Sequence, residues 1–373
     1  MGLTRNILGS TGIKVTELCF GALPMGPLQK NMPFDAQVEV VAAALAAGIN
    51  FIDTAQMYRT YPAVREGIHV AKAHGAKAHG AATFWSTSTR PVITGKSAVA
   101  DYDGMAAAVD DALGQMDLDY VDVFLLHAPR IGPEVFEVRA GALRCLADRK
   151  KQGLIKATGL STHDTRVVRL AAGRDDLDVV FPLVNKAGMG VLGGKLADML
   201  AAIEECAAAG KGVYLMKVLA GGNLVDDYAA AVDFARGVKG HHSIAIGMVS
   251  PAEVAFNVDY FSRPVRTAGA ALGTGAGIVT GDGGVGGEGG EGGLGSGGAG
   301  GTSSLAAPNM RIWNKRFQVF ADLCKGCGAC EGACPNGAIT VRESTGRALI
   351  DDARCLTCGY CTSACPEFAI RVV

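Results

Sequence analysis

Eight of the eleven cysteines lie in the last fifty residues, in two runs of the form CxxCxxCxxxCP. The first run, CKGCGACEGACP, begins at Cys324, and the second, CLTCGYCTSACP, begins at Cys355. Each cysteine of the first run recurs 31 residues later, and the same offset relates Val319 to Ile350. The repeat predicts two copies of a strand, a cysteine loop and a second strand, packed as one small pseudo-twofold unit.

The spacing of the cysteines indicates what they bind. Thiolates are soft ligands suited to iron–sulfur clusters, and two-residue gaps place three sulfurs around one face of a cubane. A zinc site with paired CxxC is the alternative, but tetrahedral zinc needs neither the third close cysteine nor the proline. The sequence therefore favours electron-transferring clusters over zinc, with a purely structural role for the clusters as a further alternative. Such cysteines also indicate a reducing compartment, which we expect to be the cytoplasm.

The two runs resemble those of bacterial two-cluster ferredoxins, and the resemblance covers residues 311–373. In that family, the fourth cysteine of each run binds the other cluster. The resemblance implies an α+β ferredoxin domain with two [4Fe–4S] clusters. One cluster would be held by Cys324, Cys327, Cys330 and Cys365, and the other by Cys355, Cys358, Cys361 and Cys334.

Residues 1–262 alternate β-rich runs with amphipathic stretches about eight times, which is typical of a (β/α)₈ TIM barrel. A β-hairpin that turns near residues 10–12 precedes the first barrel strand. Met105, Val109, Leu113 and Met116 recur at helical spacing. Glycines close three helical patterns shortly before a strand, at Gly48, Gly153 and Gly210. The clearest predicted strands are 51–55, 91–97, 121–127, 155–161, 178–185, 212–218 and 243–248.

A glycine-rich segment separates the two predicted domains. Between residues 268 and 301, 18 of 34 residues are glycine. Such a segment cannot bury enough apolar surface to offset the entropy lost on ordering. We predict a flexible linker over residues 263–310.

Four polar residues follow or end predicted barrel strands, where active sites of this fold lie. They are Asp53, Tyr58, Lys96 and His127. A neighbouring ammonium group favours the phenolate form of a tyrosine, and a carboxylate can pair with and orient that ammonium. An imidazole can polarise a carbonyl oxygen while the phenol delivers a proton. The combination is suited to carbonyl reduction.

The motifs FIDTAQMY, ITGK, DVFLLH and GLSTH resemble those of the aldo-keto reductase family, particularly its prokaryotic branch with appended clusters. The resemblance implies that Tyr58 is the general acid, that Asp53 and Lys96 tune it, and that His127 orients the carbonyl. It implies NADPH or NADH as hydride donor, with Ser161 and Asn185 near the nicotinamide. The chain departs from the family where Phe181 replaces an amide-binding glutamine and Met216 replaces a stacking aromatic residue.

The last barrel turn, GMVSPAEVAFN, predicts a helix that is capped by Ser250 and has proline at its first position. Because helix N-termini bind phosphate, Ser250 and Asn257 are candidates for contacts to the far end of the nucleotide. No lysine or arginine lies between Gly247 and Asn257 to bind a 2′-phosphate. A capped helix without a ligand is the alternative.

The sequence leads to one functional prediction and one alternative. We predict an iron–sulfur oxidoreductase whose barrel reduces or oxidises a small carbonyl-type substrate, with electrons exchanged through the clusters and with a redox partner protein. In the alternative, the protein is an electron carrier or redox sensor, and the barrel is a non-catalytic binding module. The formal net charge of −1 and the absence of a long apolar run argue against nucleic-acid and membrane partners.

Overall fold

The computed structural model describes residues 2–77, 90–265, 316–334, 337–352, 354–355, 360–367 and 369–372. The predicted linker lies outside these residues except for its first three positions. The predicted cluster ligand Cys358 also lies outside them.

An N-terminal hairpin closes one end of the barrel. Strands β1 (Arg5–Ile7) and β2 (Lys14–Thr16) pair antiparallel across a 3-10 turn at Gly9–Thr11. Leu8 in the turn is fully buried in the barrel interior, and the Ser10 amide donates to the carbonyl of Gly210, just before a barrel strand begins. The predicted hairpin is confirmed, and it covers the end of the barrel at which the strands start.

Eight parallel strands form a closed barrel in chain order. They are β3 (Leu18–Gly21), β4 (Phe51–Asp53), β5 (Val92–Ser97), β6 (Val121–His127), β7 (Ile155–Thr162), β8 (Val179–Pro182), β9 (Gly212–Leu215) and β10 (Ser243–Gly247). Strand β10 pairs with β3 to complete the barrel. The predicted (β/α)₈ fold is confirmed, and seven of these strands match the clearest predicted ones.

Helices surround the barrel. They are α1 (Phe34–Ala46), α2 (Tyr61–Lys77), α3 (Tyr102–Met116), α4 (Val135–Val138), α5 (Ala140–Lys151), α6 (Thr165–Ala172), α7 (Leu196–Ala208), α8 (Tyr228–Arg236) and α9 (Pro251–Phe261). In α3, Met105, Val109 and Met116 are buried, as their spacing predicts. Within the described part of the chain, no helix has the length and apolar character needed to cross a membrane.

The three predicted glycine stops are confirmed. Gly48, Gly153 and Gly210 adopt φ values of 94°, 79° and 78°, in the left-handed region that glycine enters without steric cost. Each one ends a helix just before the chain turns into the next strand, so these positions set where the strands begin.

The apolar residues form two separate layers. One cluster lies between the strands and the surrounding helices, and it includes Tyr61, Phe124 and Phe261. The other fills the barrel interior and includes Phe51, Phe181 and Tyr214. Because the hairpin covers one end of the interior, polar side chains concentrate at the other end, where the strands finish.

The cysteine-rich region forms a separate small unit. Its elements are β11 (Phe317–Val319), α10 (Ala329–Ala333), β12 (Ile339–Arg342), β13 (Arg347–Ile350), α11 (Tyr360–Ala364) and β14 (Ile370–Val372). Strand β11 pairs with β14, and β12 pairs with β13. In these ladders Val319 lies opposite Ile370, and Ile339 lies opposite Ile350. The offset of 31 residues relates Val319 to Ile350 and Ile339 to Ile370, so the second pair is the repeat of the first. This is the pairing that the predicted pseudo-twofold unit requires.

Candidate active site and cluster region

A buried ion pair lies at the ends of β4 and β5. Lys96 Nζ is 2.6 Å from both carboxylate oxygens of Asp53, and neither side chain is more than 6% exposed. Burial raises the pKa of Asp53, while the Lys96 ammonium opposes that shift. Burial lowers the pKa of Lys96, and Asp53 opposes that shift in turn. The two residues therefore stabilise each other's charged form against the penalty of burial.

Tyr58 is positioned beside this pair. It ends a 3-10 turn at Gln56–Tyr58, and the next residue, Arg59, adopts a φ of 54°. Lys96 Nζ lies 5.0 Å from the centre of the Tyr58 ring. An ammonium at this distance interacts favourably with the phenol and more favourably with its phenolate.

His127, the last residue of β6, completes the group. Its ring meets the Tyr58 ring edge-on, with centroids 6.3 Å apart. The pKa of His127 is held well below 6.5, first by burial and then by the charge of Lys96, so the imidazole is neutral. Its Nδ1 is 2.6 Å from the Ser161 hydroxyl. The structure thus brings together all four residues that the sequence suggested for carbonyl chemistry.

The sequence interpretation missed Tyr214. This residue in β9 is fully buried, and its hydroxyl donates to Asp53 Oδ1 at 2.9 Å. A signal was present in the spacing. Met216 occupies the position of a stacking aromatic residue at the site, and a strand places residues two apart on the same face, so Tyr214 is expected to face the barrel interior as well. A buried tyrosine also usually needs a hydrogen-bond partner for its hydroxyl.

The predicted nucleotide contacts are already engaged within the chain. Ser161 binds His127, and the side-chain amide of Asn185 makes two hydrogen bonds to the backbone of Met189. Ser250 caps α9 by accepting from the Glu253 amide. Asn257 donates to the Glu253 carbonyl and accepts from the Tyr228 hydroxyl. The roles of these four residues toward a nucleotide stay predictions.

A buried carboxylate lies at the start of α9. Glu253 is 3% exposed, and its Oε2 accepts from the Val249 amide at 2.9 Å. Its Oε1 has no hydrogen-bond partner among the described residues. Burial raises the pKa of Glu253. This acidic group occupies the helix end at which we predicted phosphate binding.

Two further positive charges act on the open end of the barrel. His163 follows β7, is fully buried, and has its pKa lowered to about 3 by burial and by the charges of Lys217 and Arg130. The same two cations contribute to lowering the pKa of His127. Lys217 has a φ of 61°, a strained value for a residue with a side chain. The region around both histidines is therefore electropositive.

One cavity in the C-terminal unit is lined by cysteines from both runs. They are Cys324, Cys327, Cys330 and Cys365, which the ferredoxin resemblance assigns to one cluster. Of the other predicted set, Cys334, Cys355 and Cys361 belong to the apolar cluster of the same unit. Among the described residues, no three His, Cys, Asp or Glu side chains form a site for a single metal ion.

The cysteine sulfurs also accept hydrogen bonds from the backbone. Three amides donate to them: Ala348 to Cys324 at 3.4 Å, Ala338 to Cys334 at 3.2 Å, and Ala369 to Cys365 at 3.3 Å. Hydrogen bonds of this kind stabilise thiolates and tune cluster potentials. The donor set and its amide contacts fit an iron–sulfur cluster.

Curated proteins with similar sequences include reductases and dehydrogenases, and solved structures with a similar fold include aldo-keto reductases. The chain is 31% identical to a 6-dehydroglucose reductase of Novosphingobium aromaticivorans over 41% of this chain and 50% of that protein. It is 24% identical to L-galactose dehydrogenase of Arabidopsis thaliana over 59% and 66% of the two chains. The chain therefore spans about half to two thirds of the length of these relatives. An aldo-keto reductase of Pseudomonas aeruginosa shares the fold, with a TM-score of 0.55, 23% identity, and coverage of 69% and 94%.

Family models account for both parts of the chain. The 4Fe-4S dicluster domain matches residues 323–369, which contain both cysteine runs. The model of the Aldo/keto reductase family matches residues 17–259, more than half of the chain, and that range contains the ion pair, Tyr58 and His127. The chain belongs to the aldo/keto reductase family and carries a 4Fe-4S dicluster domain behind its barrel.

Proposed function

We propose that the chain is an oxidoreductase that reduces or oxidises a small carbonyl-type substrate in the barrel and exchanges electrons through two [4Fe–4S] clusters. The observation that carries the proposal is the geometry of one group of residues. A buried ammonium lies 5.0 Å from the ring of Tyr58, and a neutral imidazole lies edge-on to the same ring. These are the groups needed to hold a carbonyl oxygen and to give it a proton.

Each residue of the group has a distinct role in the proposed reaction. Ser161 donates its hydroxyl hydrogen to Nδ1 of His127, so the neutral ring carries its own proton on Nε2 and donates it as a hydrogen bond to the carbonyl oxygen. Tyr58 transfers its phenolic proton to that oxygen during reduction. Lys96 stabilises the phenolate that Tyr58 becomes, and Asp53 holds Lys96 in place and charged. Alcohol oxidation uses the same groups in reverse.

NADH or NADPH, when bound, supplies the hydride that accompanies this proton. We assign this donor to the barrel end that holds Tyr58 and His127, because the hydride has to reach the carbonyl carbon there. At α9, the Ser250 hydroxyl and the Asn257 side-chain amide already form hydrogen bonds within the chain. A nucleotide would be a further hydrogen-bond partner for these groups. We assign Ser161 and Asn185 to the nicotinamide end from the family resemblance, and Ser250 and Asn257 to the phosphate end because helix N-termini bind phosphate.

The clusters, when present, pass single electrons. A hydride from the nucleotide already carries both electrons of one carbonyl reduction, so two clusters would supply two electrons in place of the nucleotide, or take two electrons from it, and would not add to them. We propose the boundaries 1–262 for the barrel domain, 263–310 for the linker and 311–373 for the cluster domain. A cytoplasmic partner protein would exchange electrons with the clusters.

An anaerobic titration tests the proposal. The purified, cluster-loaded chain is titrated with NADH and NADPH in the presence of a panel of carbonyl compounds, while nicotinamide and cluster absorbance are followed together. We expect nucleotide oxidation with product formation, and a Tyr58→Phe variant should lose about a hundredfold or more in kcat. No turnover of any carbonyl with either nucleotide or with reduced ferredoxin would refute it.

One observation favours a second function, that of an electron carrier or redox sensor. Phe181 is packed face to face on Tyr214, and it has no group that could bind the nicotinamide amide. If the barrel is a non-catalytic module, neither nucleotide binds, while dithionite still reduces the clusters. A Tyr58→Phe variant would then equal the wild type in every redox assay.

A further inference from the structure

The carboxylate of Asp53 accepts three hydrogen bonds in the barrel interior. Two come from Lys96 Nζ, at 2.6 Å to each oxygen, and the third comes from the hydroxyl of Tyr214, at 2.9 Å to Oδ1. Lys96 and Tyr214 are fully buried, and Asp53 is 4% exposed. Burial raises the pKa of Tyr214 well above 10, so its hydroxyl keeps its proton and acts as a donor.

Aromatic residues fix the ring of Tyr214. The Phe181 ring is stacked on it with centroids 3.8 Å apart and planes 12° apart, and Phe51 lies against it at 5.0 Å. The Phe181 ring also faces Lys96, whose Nζ is 5.3 Å from its centre. Phe181 therefore contacts both groups that bind Asp53, and it occupies the position where the family resemblance implies a glutamine.

The ion pair between Asp53 and Lys96 can lose its charges by transferring a proton. Burial favours the neutral forms of Asp53 and Lys96, and a proton moving from Lys96 to Asp53 would produce both neutral forms at once. A donor to the carboxylate favours its ionised form and so opposes that transfer. The Tyr214 hydroxyl is such a donor.

Cys19 and Tyr61 are two further titratable groups near Asp53, whose charge raises the pKa of each. Burial raises the pKa of both, so both are uncharged at neutral pH. Among the described residues, the side chains of Lys96 and Tyr214 shift the Asp53 pKa downward. The balance of the ion pair therefore depends on these two partners.

We propose that Tyr214 is a positioning residue of the reaction: its hydroxyl holds Asp53 Oδ1 ionised, and Asp53 in turn keeps Lys96 as an ammonium beside Tyr58. Phe181 and Phe51 hold the Tyr214 ring at the angle that this hydrogen bond needs. This inference rests on the proposed carbonyl chemistry, in which Tyr58 gives the proton.

The test replaces Tyr214 by phenylalanine in the full, cluster-loaded chain. With Lys96 less often charged, Tyr58 holds its proton more tightly. We expect kcat for carbonyl reduction to fall about tenfold, and the alkaline limb of the kcat/KM profile to move to higher pH by about one unit. Tyr102→Phe is the control, because it also removes a tyrosine hydroxyl that donates to a carboxylate, that of Asp148 on the helix surface, and it should not shift the profile. Phe181→Leu should give a smaller shift in the same direction as Tyr214→Phe.

A second readout does not depend on activity. Infrared titration follows the carboxylic acid band of Asp53, which is identified by its loss in Asp53→Asn. Tyr214→Phe should raise the pH at which this band appears by about one unit. An unchanged band midpoint, or a loss of rate without any shift of the pH profile, would overturn the role of Tyr214. A shifted midpoint in a chain that turns over no carbonyl would keep the hydrogen-bond role but refute the proposed function.

Discussion

Replacing Lys96 by methionine should destabilise the barrel more than any single surface substitution. The change removes the cation that is bonded to Asp53 and leaves a carboxylate that is 4% exposed. Breaking a buried pair by removing one partner costs about 3–5 kcal/mol, because the remaining charge is uncompensated. The Tyr214 hydroxyl still donates to Asp53 at 2.9 Å, which places the expected loss near the lower end, at about 3 kcal/mol.

The loss should depend on pH, with a sign that follows from the pKa shift. Burial already raises the pKa of Asp53, and removing Lys96 raises it further. A carboxyl group with a raised folded-state pKa binds more protons in the folded than in the unfolded state between the two pKa values. The variant therefore loses stability, relative to the wild type, as the pH rises through that window. The deficit should be smaller at about pH 5 than at about pH 8.

Urea unfolding followed by far-ultraviolet circular dichroism measures this loss, because most of the helices lie around the barrel. The double variant Lys96→Met, Asp53→Leu is the control, since it removes both charges and should recover about 2 kcal/mol or more of the deficit. A single variant as stable as the wild type would refute the reasoning. The reasoning would also be refuted if the double variant were no more stable than Lys96→Met alone.

Three further predictions concern the ligands. Cys365→Ser should remove the same cluster as Cys327→Ser, since both residues line one cavity, and low-temperature electron paramagnetic resonance of the reduced variants should show the same missing signal. The buried Glu253 carboxylate should repel a 2′-phosphate, so NADH should bind at least several-fold more tightly than NADPH. Glu253→Gln should reduce the ratio of the two dissociation constants in fluorescence titrations. The charge of Lys217 near His127 should favour anionic carbonyl substrates, so Lys217→Gln should raise their KM about tenfold while leaving the KM of neutral ones nearly unchanged.

The parts of the fold that could be predicted are those encoded over short stretches of chain. Apolar runs marked seven barrel strands, and a constant offset marked the two halves of the cysteine-rich unit. Strand β3, Leu18–Gly21, was not among the clear ones, because periodicity alone does not distinguish a short apolar run in a strand from one in a buried helix. It is recognised only through its pairing with β4 and β10.

The parts of the site that escaped prediction depend on contacts across the barrel. Tyr214 and Asp53 are 161 residues apart in sequence, and their strands are not neighbours in the barrel. His127 and Ser161 do lie on neighbouring strands and are register partners, so their side chains meet. A single sequence gives the direction of each side chain, but it does not give the register or the partner across the interior.

The same burial acts on every ionisable group of this site, yet the groups differ in charge. His127 and Lys96 are both buried basic side chains, but of the two only Lys96 forms an ion pair with a carboxylate. His127 therefore stays neutral, whereas Lys96 is held as an ammonium. In the proposed chemistry a carbonyl oxygen between Tyr58 and His127 meets two neutral donors, and the Lys96 ammonium lies 5.0 Å from the centre of the phenol ring. Because the ammonium favours the phenolate, we propose that the proton comes from Tyr58, with Asp53 keeping Lys96 charged.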